Sequence, residues 1–243
     1  MFNRIAIINK STVVSNANAN IMAAVCNLQL SRDVAPAWGR TPVPVAFYAT
    51  ESSVPAGAAK LYIFDTTTQM GTLGYHTETF SGQVFATVFA KTITNYGLPI
   101  LYNPSNKSSV TVSSVVSHEV IEMFCNPYVD LWADGPTISA GSQYAYEACD
   151  AVEANMYQIT VFVAPSNATA SVSNFLYPEY FDTATPRGVK KDYLNLITAP
   201  FTMTPSGYMI VRDNAGNETA LYGEKYPQVL KDLNADSISA GKL

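Results

Sequence analysis

The 243-residue chain is 48% hydrophobic and only 14% charged, carries a formal net charge of −5, and contains 15 tyrosines. This composition fits a folded, β-containing globular protein with much polar surface and excludes a disordered or coiled-coil chain. With a pI near 5.0, and no basic patch denser than Arg187 to Lys191, which reads as a solvated turn, the chain lacks the charge footprint of a nucleic-acid binder.

The apolar stretch in Met1 to Asn9 is too short for a secretory leader and is followed by no convincing cleavage site. No apolar run approaches the roughly 20 residues that span a bilayer. Cys26, Cys125 and Cys149 are too few and too widely spaced for a disulfide framework. The expectation is a protein made in a reducing cytoplasm, with no membrane partner.

In chain order, residues 4 to 8 read as a strand. Ser15 or Asn16 caps a helix reaching about Leu30, with Ile21, Val25 and Leu28 at helical spacing. The run from Asp33 to Gly39 ends it. Val43 to Tyr48 and Lys60 to Asp65 read as strands, and Gly71 to His76 as a strand or extended edge. Val84 to Ala90 favours strand by its Val, Phe and Thr content. Ser108 to Phe124 is the best helix, with an apolar stripe through Val112, Val115, Val116, Val120, Met123 and Phe124, stopped by Asn126-Pro127. Turn-rich segments follow around Asp134-Gly135-Pro136, where Asp130, Asp134 and Gly135 read as a turn and not a calcium loop. An acidic cluster occupies 147 to 153 and a strand Gln158 to Ala164. Residues 207 to 212 and 219 to 222 form a hairpin joined by Asp213 to Asn217, and a short helix begins near Pro227. One domain is expected over 1 to 243: a sheet and motif helix through 126, then a β-rich part, 127 to 243, that completes the site.

The chemistry concentrates in Ser117-His118-Glu119-Val120-Ile121-Glu122-Met123. On a helical wheel His118 and Glu122 lie together at one edge of the apolar stripe, and Glu119 falls just inside it. A carboxylate within an apolar stripe must be paired, liganded or protonated, since uncompensated burial costs several kcal/mol. His118 and Glu122, four residues apart, can bind one cation, and zinc accepts nitrogen and oxygen at about 2.0–2.2 Å. The third ligand is expected from the acidic cluster: Asp150 first, Glu147 or Glu153 next. An oxygen-rich set also admits Ca²⁺, Mg²⁺ or Mn²⁺. Glu119 is then the general base toward a water made more acidic by the ion. The plainer alternative is a satisfied structural histidine. His76 is an alternative ligand or cleft residue against an ordinary strand histidine. Cys125 and Cys149 are buried inert thiols rather than soft ligands. Tyr177 or Tyr180 is a candidate phenol for an oxyanion, against a place in the core or a contact surface.

The order of elements resembles the zincin-like metallopeptidase domain, whose twisted sheet packs on two helices, the second carrying H-E-x-x-H. His118 and Glu119 match that motif, and Glu122 stands where it has its second histidine. The aspartate-liganded branch takes its third ligand from a downstream aspartate, which Asp150 imitates. A broader similarity links Val14 to Ala17, Arg32 to Gly39, Leu73 to His76, Ser117 to Met123, Cys149 to Glu153 and Val172 to Phe175 to poorly characterised proteins of bacteria and tailed phages that carry His-Glu-x-x-Glu. The resemblance implies a zincin-like α+β fold, and the first expectation built on it is a zinc-dependent hydrolase acting on a peptide or protein. The alternative it implies is a non-catalytic structural or assembly protein, with a metal staple or relic site and other virion proteins as partners.

Overall fold

A computed structural model describes residues 2–66, 73–107, 109–136 and 142–225. The fold is mixed α+β, built around a five-stranded mixed sheet. Strands β1 (Ile5–Asn9), β2 (Val45–Tyr48), β3 (Ala59–Phe64), β4 (Gly74–Glu78) and β5 (Val84–Phe89) lie in the order β2-β1-β3-β5-β4. All pairings are parallel except β4 with β5, so β4 is an antiparallel edge strand. Period-two alternation sets the sheet's faces. In β3, Ala59, Leu61 and Ile63 are buried while Lys60, Tyr62 and Phe64 are half-buried. The buried set joins Ile5, Ile7, Val84, Ala86 and Val88 in one core with the helices.

Helix α1 (Asn16–Gln29) starts at Ser15, whose hydroxyl accepts from the Asn18 N–H at 3.1 Å. It runs on through a π-helical stretch, Leu30–Val34, and a short turn, α2 (Ala35–Ala37), and stops before Gly39, where φ is +58°. A short helix α3 (Ala90–Thr94), absent from the sequence expectation, directly follows β5.

Helix α4 (Val112–Cys125) carries the motif. It begins later than the expected Ser108, which lies outside the described residues. Thr111 is still extended and caps the helix, reciprocally with Ser114. Asn126 ends it as expected, donating to the Glu122 carbonyl at 2.7 Å. The helix is also buried nearly all round and not along one stripe: among its residues only His118 is partly exposed. Its small hydroxyl residues make this burial tolerable. Ser113 donates to the Leu101 and Ser171 carbonyls, and Ser117 donates to Gln29 Oε1 at 2.7 Å while accepting from the Ser173 N–H.

The remaining strands frame the motif helix from the other side. Strands β8 (Met156–Val163) and β9 (Ser166–Ser173) form a ribbon that packs on α1 and α4. Strands β6 (Trp132–Asp134), β7 (Gln143–Ala145), β10 (Tyr208–Arg212) and β11 (Glu218–Tyr222) form an antiparallel sheet in the order β11-β10-β7-β6. The β10–β11 hairpin matches the sequence expectation, with Asp213 accepting from the N–H groups of Ala215 and Asn217 in its turn. Strands β6, β7 and β9 are absent from the sequence expectation: β6 and β7 lie in a segment read as turn-rich, and β9 is too rich in Ser, Thr and Asn to signal burial. Lys191 also departs from expectation. It is fully buried and donates to the Pro186 and Val189 carbonyls rather than lying in a solvated turn. The segment from Pro227 lies outside the described residues. Among those described, no helix is long and apolar enough to cross a membrane.

Candidate metal centre

Strand β4 and helix α4 meet at Gly74. A Cβ there would sit 2.7 Å from Glu119 Oε1 and 2.9 Å from the Thr87 carbonyl oxygen, so glycine is what permits the close approach. Two residues on, and on the same face of β4, His76 is buried against the motif helix. Its Nε2 lies 2.9 Å from the Asn126 carbonyl oxygen, which can only accept, so Nε2 carries a proton. Nδ1 then faces Glu119 Oε2 and Glu122 Oε2, each at 3.6 Å. That spacing is too long for a hydrogen bond.

His118 lies on the other side of Glu122. Its Nε2 is 3.0 Å from Glu122 Oε2 and 3.3 Å from Asp150 Oδ1. The second oxygen of Glu122 accepts the Cys149 N–H at 3.1 Å, which fixes the carboxylate in place. Asp150 opens a 3₁₀ turn, Asp150–Val152, that presents the acidic cluster to the helix. Glu119 Oε2, Glu147 Oε2 and Asp150 Oδ1 are all buried without a hydrogen-bond partner; the contact of Asp150 Oδ1 with His118 is close but poorly directed.

Charge is accordingly perturbed. Burial works against protonating His76, yet Glu119, Glu147 and Glu122 outweigh it and push the imidazole up to about 10. Burial likewise opposes protonation of His118, and Glu122, Cys149 and Asp150 raise it well above its usual value. Burial, with the charge of Glu122, pushes Asp150 up to about 6 and Glu147 well above the carboxylate range.

The cluster floors a cleft of about 1240 Å³ lined by β4, α4 and the second sheet. Of the residues expected at the site, His118, Glu119, Glu122 and Asp150 converge, and the fold adds His76 and Glu147 from the second rank of candidates. Glu153 and Asp150 both line the cleft, and among the described residues neither belongs to the two metal-ligand groups that the side chains form, although Asp150 Oδ1 lies 3.3 Å from His118 Nε2. Cys149 joins His118 and Glu122 within 4.8 Å, whereas Cys125 is buried and free. Tyr177 is not a cleft residue: its ring packs against Phe175 and beneath the Lys190 ammonium. Tyr180 is buried with its hydroxyl on Met209 Sδ. The phenols that do line the cleft are Tyr75, Tyr128 and Tyr208, and Tyr208 favours the ionised form of Asp150. No local pattern sets Tyr208 apart among the tyrosines, because only the pairing of β10 with β7 brings it there. Comparison with known proteins finds no matching family model, curated protein or solved structure.

Proposed function

We propose that the protein is a metal-dependent peptidase of zincin-like architecture, with the ion held by His118, Glu122 and Asp150 and with Glu119 as general base. The observation that carries this reading is the set of buried, unpartnered carboxylate oxygens facing imidazole nitrogens on the floor of an open cleft. Such oxygens are costly unless a cation or proton compensates them. The architecture is supported by the sheet with its antiparallel edge strand and by the second long helix bearing the motif.

Asp150 is preferred to Cys149 as third ligand because its Oδ1 is unpartnered, whereas the Cys149 thiol contacts the His118 carbonyl. One imidazole with two carboxylates suits Zn²⁺ first and Mn²⁺ next, while Ca²⁺ and Mg²⁺ favour all-oxygen sets. A bound ion would supply Lewis acidity toward a carbonyl and its attacking water. The protein's own part is to orient and to move protons. Glu119 Oε2 accepts the proton of the attacking water and returns it to the leaving amine. The Tyr208 phenol favours the ionised form of Asp150.

The substrate is an extended peptide. Among the described residues β4 has one hydrogen-bonded neighbour, and its other edge borders the cleft, where a peptide can add as a further strand. Phe80, Val129 and Leu131 expose apolar side chains at the rim. An open cleft of this size supports catalysis over a fully ligated metal staple, which would be closed.

The test is cleavage of a denatured protein or peptide mixture, read by mass spectrometry. Glu119→Gln is expected to keep fold and ion while losing about 10²–10⁴-fold in rate. Undiminished cleavage in that variant would remove the general-base assignment.

A further inference from the structure

The cluster contains more ligands than one ion needs. We propose that the cleft holds two divalent cations bridged by Glu122, one on the His118–Asp150 side and one between His76 and Glu147. The proposal rests on the reading of His118 and Glu122 as metal ligands and adds a second ion to it.

Four observations carry it. First, among the described residues the side chains form two ligand groups, each with donor atoms within 4.8 Å of one another: His118, Glu122 and Cys149, with Asp150 outside the group but 3.3 Å from His118, and His76, Glu122 and Glu147. They share Glu122, and neither contains both histidines. Second, a single oxygen, Glu122 Oε2, lies between the two rings, 3.0 Å from His118 Nε2 and 3.6 Å from His76 Nδ1. Ligand atoms around a tetrahedral ion with bonds near 2.1 Å stand about 3.4 Å apart, so both spacings are those of atoms facing a common ion. Third, the hydrogen bond from His76 Nε2 to the Asn126 carbonyl leaves Nδ1 of the neutral ring as a bare lone pair among carboxylates. A backbone carbonyl on the far nitrogen is also how metal-bound histidines are oriented. Fourth, each side has its own buried and unpartnered oxygen, Asp150 Oδ1 beside His118 and Glu147 Oε2 in the His76 group.

Charge points the same way. Glu119, Glu122, Glu147 and Asp150 are all buried. Against four carboxylates and two neutral imidazoles, one dication leaves two negative charges uncompensated, and two dications leave none. Among the described residues lining the cleft, Arg212 is the one lysine or arginine, and it pairs with Glu218 and stacks on Trp132. Each ion would have one imidazole and otherwise mainly oxygen, which suits Zn²⁺ or Mn²⁺ over Ca²⁺.

The experiment is metal stoichiometry by plasma mass spectrometry after loading chelator-treated protein with Mn²⁺ or Zn²⁺ and desalting. Two equivalents are expected in the wild type, one in His76→Ala and in Glu147→Gln, and fewer than one in Glu122→Ala, with circular dichroism unchanged. One equivalent in the wild type, untouched by His76→Ala, would overturn the second ion and leave the single-ion reading standing. No retained metal would overturn both. Should the variants fail to fold, the Mn²⁺-loaded wild type decides. A paramagnetic resonance spectrum of an exchange-coupled pair is expected, and the spectrum of isolated ions at full loading would overturn the bridge.

Discussion

At Gly74 a methyl group would meet Glu119 Oε1 and the Thr87 carbonyl at less than 3 Å, and neither can move freely: one belongs to the buried cluster, the other to the sheet ladder. Gly74→Ala is therefore expected to destabilise the fold by about 1–3 kcal/mol, the usual range for overpacking, and to weaken metal binding. Urea unfolding and a metal titration check both effects. His76 gives a second prediction at this scale. In metal-free protein its pKa is about 10 against an ordinary 6.5, so the folded state binds the proton more tightly than the unfolded one. The stabilisation is fully present below 6.5 and is lost as the pH rises through 10. The melting temperature of the metal-free wild type should fall across that window more steeply than that of His76→Gln; equal slopes would remove the imidazolium. A saturating ion replaces the proton, and the difference in slope should shrink.

At the scale of elements, Ser117 is the joint between α4, α1 and β9. Its hydroxyl donates to Gln29 Oε1 and accepts from the Ser173 N–H, all three residues being buried. Ser117→Ala leaves two buried polar groups without that partner and is expected to cost about 1–3 kcal/mol, measurable as a lower denaturation midpoint. Thr111→Ala removes the helix cap and should cost about 1 kcal/mol without altering metal stoichiometry. A loss of ion in Thr111→Ala would mean that the helix start, and not only the side chains of its central turns, holds the site. The elements themselves were unevenly legible. β1 and β5 announced themselves as continuous apolar runs buried nearly throughout, β3 through its alternation, and α1 through helical spacing and the Ser15 cap. β9 did not, since Ser171 and Ser173 reach burial through hydrogen bonds to α4 rather than through apolar character. The wheel of α4 grouped His118, Glu119 and Glu122, which do line the cleft together, but it gave no sign that the rest of the helix is buried, because a helix enclosed by β4, β5, β9 and α1 has no solvent face to contrast with its stripe.

For the whole molecule, the site joins parts that are distant in the chain: His76 on the edge strand, the motif on α4, and Glu147 and Asp150 from the segment leading into the β8–β9 ribbon. A ligand bound at such a junction stabilises the entire fold. Zn²⁺ or Mn²⁺ at a hundredfold excess over its Kd should add about 2.7 kcal/mol per site, seen as a rise in melting temperature that chelator reverses. An unchanged melting temperature would argue against any cation at the junction. The sequence alone determined the motif helix, its stop at Asn126, the pairing of His118 with Glu122 four residues on, and the acidic turn as the source of a further carboxylate beside them, because these follow from local periodicity and local chemistry. Only the tertiary structure decided that His76 and Glu147 join them, that Tyr177 stays away and Tyr208 takes its place, and that Glu122 faces two imidazoles. Those outcomes depend on which edge of the sheet β4 occupies and how the second sheet closes over α4, and no spacing along the chain encodes either.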